Sequence, residues 1–158
     1  MPHIHEKIDF TVEVFIVHKN KVLLRRHEKY DIWLSVGGHI ELDEDPVQAA
    51  IREVKEEVGL DVKIIGGQKG EGDGSEKNRG YKDLIPPKYL GRHPASNTHE
   101  HIAFVYFGIS NTDKMLDPID ETEEAETRWV SKEELENMEL VPNIKFYATE
   151  ALKELGIK

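Results

Sequence analysis

Apolar residues in this chain fall into short runs whose period changes along the sequence. Phe10 to Val17 mixes β-branched and aromatic residues, Lys19-Asn20-Lys21 interrupts it, and Val22-Leu23-Leu24 resumes, which predicts a strand, a tight turn and a second strand. At Asp45-Pro46 the period becomes helical: Asp45 is a good N-cap, Pro46 suits the first helical position, and Gln48 sits where a capping box is completed. At about 100° per residue, Val47, Ile51, Val54 and Val58 share one stripe, predicted to face the core. Gly59 then closes the helix as a left-handed residue commonly does. Strands are predicted over Val62 to Ile65, Ile102 to Ile109 and Thr127 to Val130. A last helix from Pro142 to Leu155 carries Ile144, Tyr147, Ala148, Ala151, Leu152 and Leu155 at helical spacing. Strands interleaved with helices predict an α/β (α+β) fold built on a mixed sheet.

One region resists this reading. Gly66 to Gly80 holds six glycines in fifteen residues, and the stretch on to Ser96 adds Pro86, Pro87 and Pro94, so a long irregular segment is expected. Loops of this length are either functional lids or plain connections. Residues 66–101 carry six basic side chains against five acidic ones, which gives the segment a mildly basic character in an acidic chain and suits an anionic substrate.

The chain has 158 residues, 38% of them hydrophobic, and shows no repeat and no Pro- or Ser-rich linker, so 1–158 reads as a single domain able to bury its own core. A net charge of −10 argues against holding a nucleic-acid polymer by phosphate neutralisation, so any phosphate ligand needs help from cations. Zero cysteines exclude disulfides, thiolate nucleophiles and Cys-bound metals. With no apolar run long enough for a membrane span and no secretory signal, a cytoplasmic protein without membrane contact is expected.

The helix from Pro46 ends against electrostatic preference. Glu53, Glu56 and Glu57, at i, i+3 and i+4, repel one another and oppose the negative end of the helix dipole. Arg52 stands four residues before Glu56 and offsets one charge, with a smaller contribution from Lys55. Either this is a solvated acidic face, or a divalent cation resolves the conflict. Carboxylates are the hard ligands that Mg²⁺ takes together with substrate phosphates.

Gly38-x5-Glu44-x7-Arg52-Glu53-Val54-x-Glu56-Glu57-x-Gly59-Leu60 resembles the complete signature of the Nudix hydrolases. Weaker similarities in Val22-Leu23-Leu24-Arg25-Arg26, Trp33-Leu34 and Arg128-Trp129-Val130 extend the likeness over most of the chain. The resemblance implies a Nudix-like α/β/α sandwich with the motif as loop, helix and loop. It also implies hydrolysis of a nucleoside diphosphate linked to another group, by water attack on phosphorus with Mg²⁺ or Mn²⁺. Many members are homodimers, so a homodimer is implied as well. One branch is made of isomerases that use a cysteine, which this chain lacks. A module that binds nucleotide without cutting it usually loses motif glutamates, and here all are present.

By the same resemblance, Glu53, Glu56 and Glu57 are the metal carboxylates, with the Gly37 carbonyl as a further ligand. Glu53 is the first candidate to orient or deprotonate the attacking water, Arg52 and Glu57 complete the catalytic set, and Arg52 would act by orienting the glutamates. An ordinary helix ion pair would place Arg52 similarly. Many members carry Pro before the paired glycines, where this chain has Ser35-Val36. Some use a further glutamate ahead of the late Trp strand; among Glu121, Glu123, Glu124 and Glu126, the choice is Glu123. Glu44 supports the loop or binds through water. Arg25, Arg26, His39, Arg92, His99 and His101 are candidates for substrate binding. His39 also has a loop-fixing reading. His99 and His101 point to one face of a strand, which permits simple exposure, contact with substrate, or zinc ligation. Trp33, Tyr81 and Tyr89 would either stack on a base or pack the core. Residues that mark hydrolases of adenosine diphosphate ribose (Pro) or diadenosine polyphosphates (Tyr) at a fixed offset past the motif are absent, since Pro86, Pro87 and Tyr81 lie too far away. The expected substrate is therefore a nucleoside triphosphate, oxidised ones included, with nucleotide sugars next.

Overall fold

The run from Phe10 to Leu24 forms a hairpin of β1 (Ile8–His18) and β2 (Lys21–His27), turned through Lys19 at φ 53°. These details come from a computed structural model, which describes residues 7–27, 29–116 and 125–157. Two short strands follow, β3 (Ile32–Leu34) and β4 (Val36–His39), and then α1 (Pro46–Val58). Asp45 caps α1 as expected, accepting from the Val47 and Gln48 amides in a full capping box, and Gly59 closes it at φ 66°. Next come β5 (Val62–Ile65), β6 (Tyr89–Pro94), β7 (Glu100–Ser110), β8 (Thr127–Ser131), α2 (Lys132–Asn137) and α3 (Pro142–Leu155).

At the centre of the sheet, β1 runs parallel to β7 with Asp9 opposite His101 and Val17 opposite Ile109. Every other pairing among the described residues is antiparallel, so the sheet is mixed. One half of β1 pairs β4 (Thr11 with His39, Glu13 with Gly37) and its far end pairs β2. Successive side chains on β1 therefore alternate between two cores. Val12, Val14 and Ile16 face α1 together with Leu23, Val36 and Tyr106. Phe15 and Val17 face α2 and α3 together with Phe107, Leu135, Ile144 and Ala148. Helices on both faces of the sheet make an α/β/α sandwich. No helix among the described residues is long and apolar enough to cross a membrane.

Two sequence expectations need correction. Ile51 is 45% exposed, whereas Ala49 and Ala50 are fully buried. The inward rows of α1 are thus Ala50-Val54-Val58 and Ala49-Glu53-Glu57, and the second row carries two glutamates on the rim of the core. The spacing of the largest aliphatic residues does not reveal these rows, because alanine marks close approach, not bulk. The segment read as irregular up to Ser96 contains β6, paired along β7. As an edge strand it is mostly exposed and ends on Pro94, so it lacks the apolar alternation that signals a strand. Residues 66–88 are ordered by short contacts, including Gly72 and Asp83 bonded in both directions at 2.7 and 2.9 Å.

Candidate active site

Arg52 uses all five guanidinium donors. Nε and Nη2 grip Glu44 at 3.0 and 2.6 Å, Nη1 donates to Glu53 at 2.8 Å and to Glu56 at 3.0 Å, and Nη2 also donates to the His39 carbonyl at 3.0 Å. One side chain thereby ties together the loop before α1, two glutamates of α1 and strand β4. The Glu44 carboxylate raises the Arg52 pKa far above its ordinary value, and Arg52 in return lowers that of Glu44. Burial pushes Glu53 up from its ordinary value, with Arg52 pulling the other way.

Glu57 is held from the other side. Arg25 of β2 donates to its Oε1 at 3.1 Å, and the Gly37 amide of β4 donates to its Oε2 at 3.1 Å. The paired glycines permit this approach: a methyl on Gly38 would collide with the Glu53 carboxylate, and one on Gly37 with the Val12 carbonyl. Glu53 and Glu57 side chains are 13% and 19% exposed, Glu56 46%. The three carboxylates thus grade from the core rim to solvent beside a backbone free of side chains. Oxygen donors of this kind suit a hard divalent cation.

The other candidates lie elsewhere. Arg26 is engaged by Asp31 and Glu126. Arg92 is bonded by Glu100 on the β6–β7 edge, separated from β4 by β1 and β7. His39, His99 and His101 gather with Asp9 and His93 on the sheet face turned away from α1. Burial holds the His101 imidazole below its ordinary pKa, and His39, His93 and His99 add to the effect. Trp33 and Tyr89 pack against the α3 core, and Tyr81 is exposed. Glu121, Glu123 and Glu124 lie outside the described residues.

Sequence reading passed over Glu13. It stands opposite Gly37 on β1, and its Oε2 is one of two buried side-chain polar atoms without a hydrogen-bond partner among the described residues. Its signal was present as a lone acid inside the apolar run Phe10 to Val17. Burial raises its pKa, so ionising Glu13 costs more in the folded than in the unfolded chain. That cost applies in full above the folded pKa and disappears below the unfolded one. Glu13→Gln is therefore expected to raise the thermal midpoint by roughly 2–4 °C at neutral pH, with the gain shrinking towards about pH 4. Calorimetry across that range checks it; a gain independent of pH would show that charge burial is not the cause.

Comparison with known proteins supplies the family. A model of the NUDIX domain matches residues 9–152. A NUDIX-family hydrolase from Clostridium perfringens is 38% identical, covers 93% of this chain and 97% of its own, and superposes with a TM-score of 0.81. The E. coli dihydroneopterin triphosphate pyrophosphohydrolase shares the fold at a TM-score of 0.61, with 16% identity over 95% of this chain and 97% of that one. The dihydroneopterin triphosphate diphosphatase of Haemophilus influenzae is 48% identical over 52 residues, 32% of this chain. That match spans 33% of the curated relative's length. With the motif glutamates held by Arg52 and Arg25 beside the paired glycines, and with a family model matched from residue 9 to residue 152, the chain belongs to the NUDIX family.

Proposed function

We propose that this chain is a Mg²⁺- or Mn²⁺-dependent pyrophosphohydrolase, with residues 1–158 acting as one domain. It would cleave a phosphoanhydride of a nucleoside diphosphate linked to another group, with a nucleoside triphosphate, oxidised ones included, as the first substrate class. The observation that carries this reading is the clamp in which Arg52 bonds Glu44, Glu53 and Glu56 while Arg25 and Gly37 hold Glu57. Mutual repulsion is tolerated at a helix end only at a cost in stability, so a cluster held this firmly supports a role in holding cations.

Glu53, Glu56, Glu57 and the Gly37 carbonyl would hold the ion or ions, Glu123 remaining a candidate for a further ligand. When bound, the metal neutralises phosphate charge and makes water a better nucleophile. Glu53 would orient or deprotonate the attacking water. Oxygen from water joins phosphorus, the bridging P–O bond breaks, and the released proton passes to solvent. Arg52 is a positioning residue in this scheme, because its five donors are already spent on protein acceptors.

The relatives named for dihydroneopterin triphosphate put a pterin triphosphate among the compounds to try. The test is a panel of nucleoside triphosphates, nucleotide sugars, dinucleotides, adenosine diphosphate ribose and dihydroneopterin triphosphate with Mg²⁺ or Mn²⁺, wild type beside Glu57→Gln, products separated by chromatography. Cleavage at the anhydride by wild type, reduced at least about 100-fold in the variant, is expected. Binding of nucleotides without cleavage of any compound would replace the enzyme reading with a nucleotide sensor.

A further inference from the structure

Four histidines and an aspartate meet where β1, β4, β6 and β7 come together on the face opposite α1. Asp9 on β1 lies opposite His101 on β7, and His93 on β6 lies opposite His101 from the other side. His39 on β4 lies opposite Thr11, two residues along β1 from Asp9 and on the same face. The His101 ring is 4.9 Å from that of His39, 5.1 Å from His93 and 5.4 Å from His99, centroid to centroid. Side-chain donor atoms of Asp9, His39 and His101 all fall within 4.8 Å of one another.

We propose that Asp9, His39 and His101 form a binding site for a borderline divalent ion such as Zn²⁺, separate from the glutamate cluster. Two imidazoles and one carboxylate suit zinc, nickel or cobalt and disfavour Mg²⁺, which prefers oxygen throughout. With metal–ligand bonds near 2.0–2.1 Å, tetrahedral ligand atoms stand roughly 3.4 Å apart. His39 Nε2 and Asp9 Oδ2 are already 3.7 Å apart. His99 Nε2 holds the same Asp9 oxygen at 2.7 Å, the kind of outer partner that fixes a ligand carboxylate. His93 packs against His101 with the two rings near perpendicular. Three protein ligands leave a position for water or an anion.

Such an ion would tie β4 to β1 and β7. β4 carries Gly37 and Gly38, and this chain has Ser35-Val36 instead of a proline before them, so a metal clamp would restrain the strand end on which the glutamates pack.

Calorimetric titration of Zn²⁺ into the full chain, in excess Mg²⁺ to occupy the carboxylates, tests this with wild type, His39→Ala, His101→Ala, His99→Ala and Glu56→Gln. One zinc per chain, bound stoichiometrically at roughly 10 μM protein, is expected. His99→Ala should weaken it about 10–100-fold, His39→Ala and His101→Ala should weaken it further, and Glu56→Gln should leave it unchanged. Circular dichroism of each variant shows that it is folded, and the two ligand variants report independently. No stoichiometric zinc in wild type, or zinc lost in Glu56→Gln and kept in a folded His101→Ala, would overturn the proposal.

Discussion

Glu53→Gln is expected to lower turnover by about 10³-fold, equivalent to about 4 kcal/mol of barrier, while the chain stays folded. The side chain is 13% exposed, stacked over Gly38 and bonded by Arg52 at 2.8 Å. A glutamine has the same shape and keeps an oxygen for Arg52, so packing survives and only the negative charge and the proton-accepting site are lost. Burial already disfavours the Glu53 anion, so the amide is expected to leave the thermal midpoint unchanged or slightly higher. Loss of rate without loss of stability separates a chemical role from a structural one. Turnover on the substrate found by the panel, measured beside circular dichroism and a melting curve, decides the matter. Near-normal turnover would remove Glu53 from the chemistry, and a parallel fall in midpoint would make its role structural.

Much of this architecture was legible because local chemistry announces it. Asp45, Pro46, Gln48 and Gly59 fix both ends of α1, and Pro142 to Leu155 is a helix with the bounds read from its spacing. The hidden parts are hidden for physical reasons. β3 and β4 are three and four residues long, too short for any period to show, and β4 contains the glycines that look like a loop. β6 is an exposed edge, and its partner half of β7 carries the pattern for both. In the site, convergence of Glu53, Glu56 and Glu57 follows from helix spacing alone. The contact between Arg25 and Glu57, and the meeting of Asp9 with His39, depend on strand pairings between segments tens of residues apart. No periodicity within one segment reports those.

Arg52 is the test of how far geometry and chemistry coincide here. Replacing it with Gln removes five hydrogen bonds and leaves Glu44, Glu53 and Glu56 without their shared cation. An isolated surface ion pair is worth less than about 1 kcal/mol, but Glu44 and Glu53 are only 12% and 13% exposed. A loss of about 2 kcal/mol is therefore expected without divalent metal, a fall of roughly 4–8 °C in midpoint. Added Mg²⁺ should recover part of it, since a cation that binds the folded glutamates stabilises by mass action and relieves the same repulsion. Turnover at saturating Mg²⁺ should still fall about 100-fold, because metal supplies charge but does not aim the Glu53 carboxylate. Arg52→Lys should restore less than half of either loss, as an ammonium cannot reach Glu44, Glu53, Glu56 and the His39 carbonyl at once. If Arg52→Gln costs under about 1 kcal/mol and leaves turnover near normal, Arg52 is an ordinary helix ion pair, and Glu53 must be aimed by its packing against Gly38.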